Sequence, residues 1–197
     1  NMYEVLNQYS DCAIVAPVTR FSKDFYGAFP ERNIKNLSLK NALKSRDLLL
    51  NSKIESDICV DVAKWALLIK VEKFKNVSGF NEKLFIFWEE IDLCRRLRLQ
   101  KLSVIITPKS SVEHKQEKSS DSDFQNFLIK TYYHEYSPLV YFNVQTFSFF
   151  YLKRMMKYLF RGISYLMILN LKKSLIYFLR LSASIRYFVN LKFSSTK

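Results

Sequence analysis

Three carboxylates open a predicted helix in this chain, directly behind an aromatic run. Phe85, Phe87 and Trp88 precede Glu89, Glu90 and Asp92, and Arg95, Arg96 and Arg98 close the segment. A carboxylate tuned by burial can take a proton from a hydroxyl within hydrogen-bond reach. A flat aromatic ring can cover the apolar face of a sugar. Glu89 and Glu90 are therefore candidate bases, and Trp88 is a candidate wall for an acceptor. The same charges also have a plain structural use, because acids in a first turn and bases in a last turn complement the helix dipole. Asp92 and Arg96 stand four apart, the spacing of an ion pair that would orient the helix, with Arg96 on a diphosphate as the alternative. His114 follows a predicted strand and serves either as a hydrogen-bonding group or, with acids from elsewhere, as a metal ligand. No Cys or second His stands at metal-ligand spacing around it.

The elements that would position these residues are legible in outline. Residues 3–9 read as a short amphipathic helix, and Cys12 to Ala16 as a buried strand ended by Pro17. Residues 19–56 are polar and mixed, a variable connection with one helix near 39–50. Residues 57–62 and 65–71 read as two strands or one bent strand. A helical turn over 72–77 is ended by Ser78-Gly79, as a C-cap glycine would end it. The acids lie on a helix over 89–100, with Leu93 and Leu97 on one face. Val104 to Thr107 is a strand stopped by Pro108, residues 110–123 are a loop, and 124–137 are helical.

Composition bounds the class. At 197 residues one domain with a real core is possible. The cysteines Cys12, Cys59 and Cys94 are odd in number and far apart, which argues for reduced thiols in a cytosolic compartment. No charged stretch followed by an apolar run opens the sequence. Asn1 to Leu6 reads as the interior of a helix, as in a chain cut from a longer one.

The net charge is +13, and from Tyr136 onward there is no acid at all. Tyr136 to Leu152 is uncharged but too polar for a confident membrane span. Residues 152–192 alternate basic and apolar clusters, the pattern of helices lying in a membrane interface. An amphipathic bundle packed on the main domain is the plain alternative. Single-strand nucleic-acid binding is disfavoured, because no recognition motif is present and the apolar runs are too long for a solvated face.

Gly79-Phe80-Asn81-Glu82, then Phe85, then Glu89 to Arg98 resemble the family 2 glycosyltransferases, in particular rhamnosyltransferase-like and cell-surface-polysaccharide members. Their pattern runs Gly-Gly-Phe-Asp-Glu, a few aromatics, Glu-Asp-x-Asp-Leu-x-x-Arg, a Gly, a strand ending in Pro, then Val-x-His. Leu67 to Ile69 and Cys12 to Pro17 resemble two of its strands. In this sequence Ser78 replaces the first Gly, Asn81 the Asp, Glu90 the second acid of the helix, and Lys101 the Gly behind it.

The resemblance implies an α/β fold, a partial GT-A domain of Rossmann-like character lacking its N-terminal nucleotide-binding half, followed by amphipathic helices. Residues 1–136 would be the acceptor-side half and residues 137–197 a basic, membrane-associated tail. Glu90, with Glu89 before it, falls at the catalytic base position; Trp88, Asp92 and Arg96 would bind substrate, and His114 would contact a metal. The implied function is transfer from a nucleotide-diphospho-sugar donor to a cell-surface glycan or lipid-linked acceptor, with a divalent metal, Mg or Mn, whose ligands are mostly absent here. No nucleotide-binding strand–loop–helix and no suitable Asp-x-Asp is seen, so the chain is expected to be incomplete and inactive alone. Residues 138–197 would meet an anionic membrane at its cytoplasmic face. The alternative is a non-enzymatic peripheral membrane or interaction module that retains a remnant of the fold.

Overall fold

The computed structural model describes residues 1–20, 28–29, 56–113, 123–144 and 148–194. The predicted helix near 39–50, most of the 19–56 connection and most of the 110–123 loop lie outside the described residues. The chain is mixed α/β and divides into two units. The first comprises Asn1–Asn81 and Glu89–Ser119; the second comprises Glu82–Trp88 and Ser120–Lys197. The division thus falls at Ser119/Ser120, and the helix that begins at Phe124 runs across residue 136 as part of the second unit.

The first unit is built around β1 (Cys12–Arg20). Its residues from Cys12 to Val15 are fully buried, as a strand with neighbours on both edges requires. It pairs antiparallel with β5 (Leu68–Ile69) on one side and parallel with β6 (Ser103–Glu113) on the other. β3 (Ile58–Cys59) adds antiparallel to the far edge of β6, giving the order β3-β6-β1-β5. β2 (Ala28–Phe29) pairs with β4 (Val62–Ala63) as a separate ribbon.

Neither proline ends its strand. β1 continues past Pro17 to Arg20, and β6 past Pro108 to Glu113. The two prolines fall at one shared irregularity: Pro17 faces Thr107, Val18 faces Ser111, and residues 108–110 are skipped. Proline is tolerated in a sheet at a bulge, where no ladder donor is needed.

Helix α1 (Met2–Gln8) starts on an Asn1 cap, whose Oδ1 accepts from the amides of Tyr3 at 3.1 Å and Glu4 at 3.4 Å. It buries Val5 and Leu6 in one cluster with Cys12, Val15 and Ile105. Helix α2 (Val71–Asn76) ends in two left-handed residues, Ser78 (φ 62°) and Gly79 (φ 66°). At Gly79 a Cβ would also press to 3.2 Å from the Phe74 ring. Helix α3 (Glu89–Leu99) carries the acids and packs on β4 and β6.

Among the described residues the second unit holds the helices α4 (Phe124–Tyr141), α5 (Phe149–Met167) and α6 (Leu171–Ser194), with α6 packed on both others. Asp123 caps α4 by accepting from the Asn126 amide at 2.6 Å. Gly162 lets α5 approach α6 closely, since a Cβ there would meet the Phe178 ring at 3.0 Å; Ser174 donates to the Gly162 carbonyl at 2.8 Å. Inside the bundle Glu135 is 3% exposed. Its carboxylate accepts from Arg154 Nη2 at 2.7 Å, Tyr158 Oη at 2.9 Å and Ser184 Oγ at 3.2 Å. All three helices meet on this one charge.

Candidate active site

The residues before α3 are held in a strained turn. Phe87 and Trp88 both have left-handed backbone, with φ of 65° and 74°. Bulky side chains adopt that region only where the surroundings over-determine it. Within the second unit the Phe87 ring meets His134 edge-on at 5.8 Å, and Trp88 lies 4.9 Å from Tyr141 and 5.3 Å from Phe142. Phe85 tilts on Tyr133 at 5.1 Å, and Ser137 Oγ donates to the Ile86 carbonyl at 2.6 Å. The aromatic candidates therefore have ring partners in their own unit, while the acids that follow them belong to the other unit.

Glu89 and Glu90 sit in the first turn of α3, both partly buried. Glu89 Oε2 is buried with no hydrogen-bond partner among the described residues. Burial holds the Glu89 carboxyl above its ordinary value of 4.5; its own backbone amide pulls down, Glu90's charge pushes up, and Lys64 pulls down. A half-buried carboxyl with raised proton affinity is the property a general base near neutral pH needs. Glu89 is thus a carboxyl that burial has tuned.

Asp92 and Arg96 are joined to each other. Arg96 Nε donates to Asp92 Oδ2 at 2.7 Å, and Arg96 Nη1 donates to the Val77 carbonyl. Val77 is the C-cap of α2, directly before Ser78-Gly79. The pair thus ties the acid-bearing helix to the glycine turn. A second pair escapes sequence reasoning: Asp61, 2% exposed, meets Arg98, which also donates to the Val60 carbonyl at 3.3 Å. The available signal was an Asp inside the apolar run Val60 to Ala63, because a buried carboxylate needs a cation.

Among the described residues no three His, Cys, Asp or Glu side chains converge to hold a metal ion. His114, the candidate ligand, lies outside the described residues, and Asp123 is engaged as the α4 cap. The cysteines are free, and burial pushes the Cys12 and Cys94 thiols up to about 11, so neither is a nucleophile at neutral pH.

No family model, no curated protein and no solved structure matches this chain.

The raised proton affinity of Glu89 has a consequence for stability. The folded protein binds this proton more tightly than the unfolded chain, so Glu89 costs stability once pH rises above the ordinary value of 4.5. Glu89→Gln is expected to be more resistant to urea than the parent at pH 7. The gain should vanish as pH falls below about 4, where the carboxyl is protonated in both states. Equal urea midpoints at pH 7 would show that the carboxylate is solvated in the native protein.

Proposed function

We propose that this chain is the acceptor-side portion of an inverting family 2 glycosyltransferase with a partial GT-A fold, working on a bacterial cell-surface glycan at the cytoplasmic membrane face. One observation carries the proposal. The resembled pattern has Gly at three places where this chain has Ser78, Gly79 and Lys101. All three adopt left-handed backbone, with φ of 62°, 66° and 61°. Lys101 closes α3 with paired bonds, its amide to the Arg98 carbonyl at 2.9 Å and the Leu102 amide to the Leu97 carbonyl at 3.2 Å. Left-handed backbone at all three places is the geometry that the Gly positions of the resembled pattern would require.

In the proposed reaction a carboxylate at the start of α3 takes the proton of the acceptor hydroxyl. The freed oxygen attacks the anomeric carbon, and the bond to the nucleotide diphosphate breaks. Glu90 is the base by position, whereas Glu89 is the carboxyl with raised proton affinity. Asp92 and Arg96 hold the helix in place. The donor and its divalent metal, Mg or Mn, would be bound by residues outside this sequence.

The test is nucleotide-diphosphate release from UDP- and dTDP-sugars by this chain, alone and joined to a donor half. The joined form should transfer, and replacing the base with Gln should lower turnover by about 10²–10⁴. Transfer by the 197-residue chain alone would overturn the incomplete-site proposal. Full activity with both Glu89→Gln and Glu90→Gln would overturn the assignment of the base.

One observation favours a second function, a membrane-surface module without catalysis: α5 and α6 contain no acid and expose an apolar stripe.

A further inference from the structure

We infer that the second unit docks on an anionic lipid bilayer through the outward face of α5 and the turn that joins it to α6. The inference deepens the membrane-surface reading and rests on it; it uses that unit alone and does not require glycosyl transfer.

Phe149, Leu152, Met156, Phe160, Ile163 and Met167 recur every three or four residues along α5, and all are exposed. They form one stripe, because residues at this spacing share a helix face. The opposite face holds Tyr158 and Gly162, which are buried against the bundle. The core therefore does not use the stripe. Lys153, Lys157 and Arg161 stand four apart on the ridge beside it. Arg161 also donates to Tyr177 Oη at 3.1 Å.

The stripe runs into the α5–α6 turn. Ile168 is 68% and Leu169 83% exposed, and Lys172 and Lys173 follow at the start of α6. Leu169 has φ 57° and closes α5, its amide on the Leu166 carbonyl at 2.9 Å and the Asn170 amide on the Tyr165 carbonyl at 2.8 Å. That position favours Gly, or Asn as at Asn143 (φ 46°) after α4. A leucine there gains no burial in the bundle and bears backbone strain, but it puts a large apolar group at the tip.

Charge selects the occupant. Helices α5 and α6 carry no acid, and Glu135 beneath them is buried and paired with Arg154. A second copy would bring the same bases against these, with no carboxylate on either helix to meet them. An anionic headgroup layer accepts the bases, and the acyl boundary accepts the stripe, with the helix lying in the interface. Among the described residues no helix is long and apolar enough to cross a membrane, so the contact is superficial.

The test uses the full chain and vesicles of phosphatidylcholine, alone or with about one third phosphatidylglycerol, read by co-sedimentation. Binding is expected only with the anionic lipid. Phe160→Glu with Met167→Glu should weaken it at least about tenfold, and reversing Lys153 and Lys157 to Glu about fivefold or more per residue. Leu169→Gly should weaken binding severalfold while raising the unfolding temperature, because it relieves left-handed strain; its loss of binding cannot come from unfolding. Three outcomes would overturn the inference: equal binding to neutral vesicles, unchanged binding by both the Phe160/Met167 variant and Leu169→Gly, or a non-binding chain whose dimer is dissolved by the Phe160/Met167 variant.

Discussion

Arg154→Met is expected to destabilise the three-helix unit by about 3–5 kcal/mol, because it leaves the Glu135 carboxylate buried without its cation. Glu135 is 3% exposed, and Arg154 Nη2 lies 2.7 Å from Oε2. Burial works against the Arg154 charge, but Glu135 and Tyr158 beside it more than compensate and raise the guanidinium's proton affinity further. Burial and then Glu135 push the Tyr158 phenol up to about 12, so it stays a donor to the same carboxylate oxygen at any physiological pH. Two neutral hydroxyls cannot replace the lost cation. The double change Glu135→Leu with Arg154→Met should recover most of the loss, since exchanging a buried pair for apolar groups of similar volume is often neutral or better. Urea unfolding of the full chain by far-ultraviolet circular dichroism, in a double-mutant cycle, measures both. A loss below about 1 kcal/mol for the single change would mean that water reaches Glu135.

Leu93→Ala is expected to cost about 2–5 kcal/mol, the range for emptying a closed core site. Leu93 is 0% exposed on the face of α3 that packs on β4 and β6. Leu99→Ala on the same helix should change stability by less than about 0.5 kcal/mol, because Leu99 is 74% exposed. The contrast tests which face of α3 is the anchor. It also bears on chemistry, since Leu93 is one turn beyond Glu89 on the same side, and a cavity there would loosen the carboxylate. A shift of about 1 Å in a reacting group can cost on the order of a hundredfold in rate. If Leu93→Ala and Leu99→Ala unfold at the same urea concentration, the helix is rotated from the placement described.

Local patterns were the most legible. Acids then bases marked α3 to within a residue or two, and Leu93 and Leu97 marked its buried face. The Asp92–Arg96 pair followed from spacing alone. The apolar run at Cys12 is a strand, but Pro17 and Pro108 read as stops when they are the two sides of one bulge. A proline ends a regular ladder, but Pro17 sits at the edge of a skipped register and Pro108 within it, where no ladder donor is needed. Trp88 was read as a candidate acceptor wall, and its ring packs on Tyr141 and Phe142, far along the chain, which no local spacing records.

The sequence by itself determined the outlines of α1 and α3, the glycine turn after α2 and the absence of acids beyond Glu135, because each depends on neighbours within a turn or two. Asn1, read as helix interior, is instead the cap of α1, and Asp123, read as loop, is the cap of α4. Only the tertiary structure decided that Glu135 gathers Arg154, Tyr158 and Ser184, and that burial raises the proton affinity of Glu89. It also decided which face of α5 stays outward. A charge acquires its cost and its partner from whatever packs around it, and those groups arrive from distant parts of the chain, where no local spacing records them.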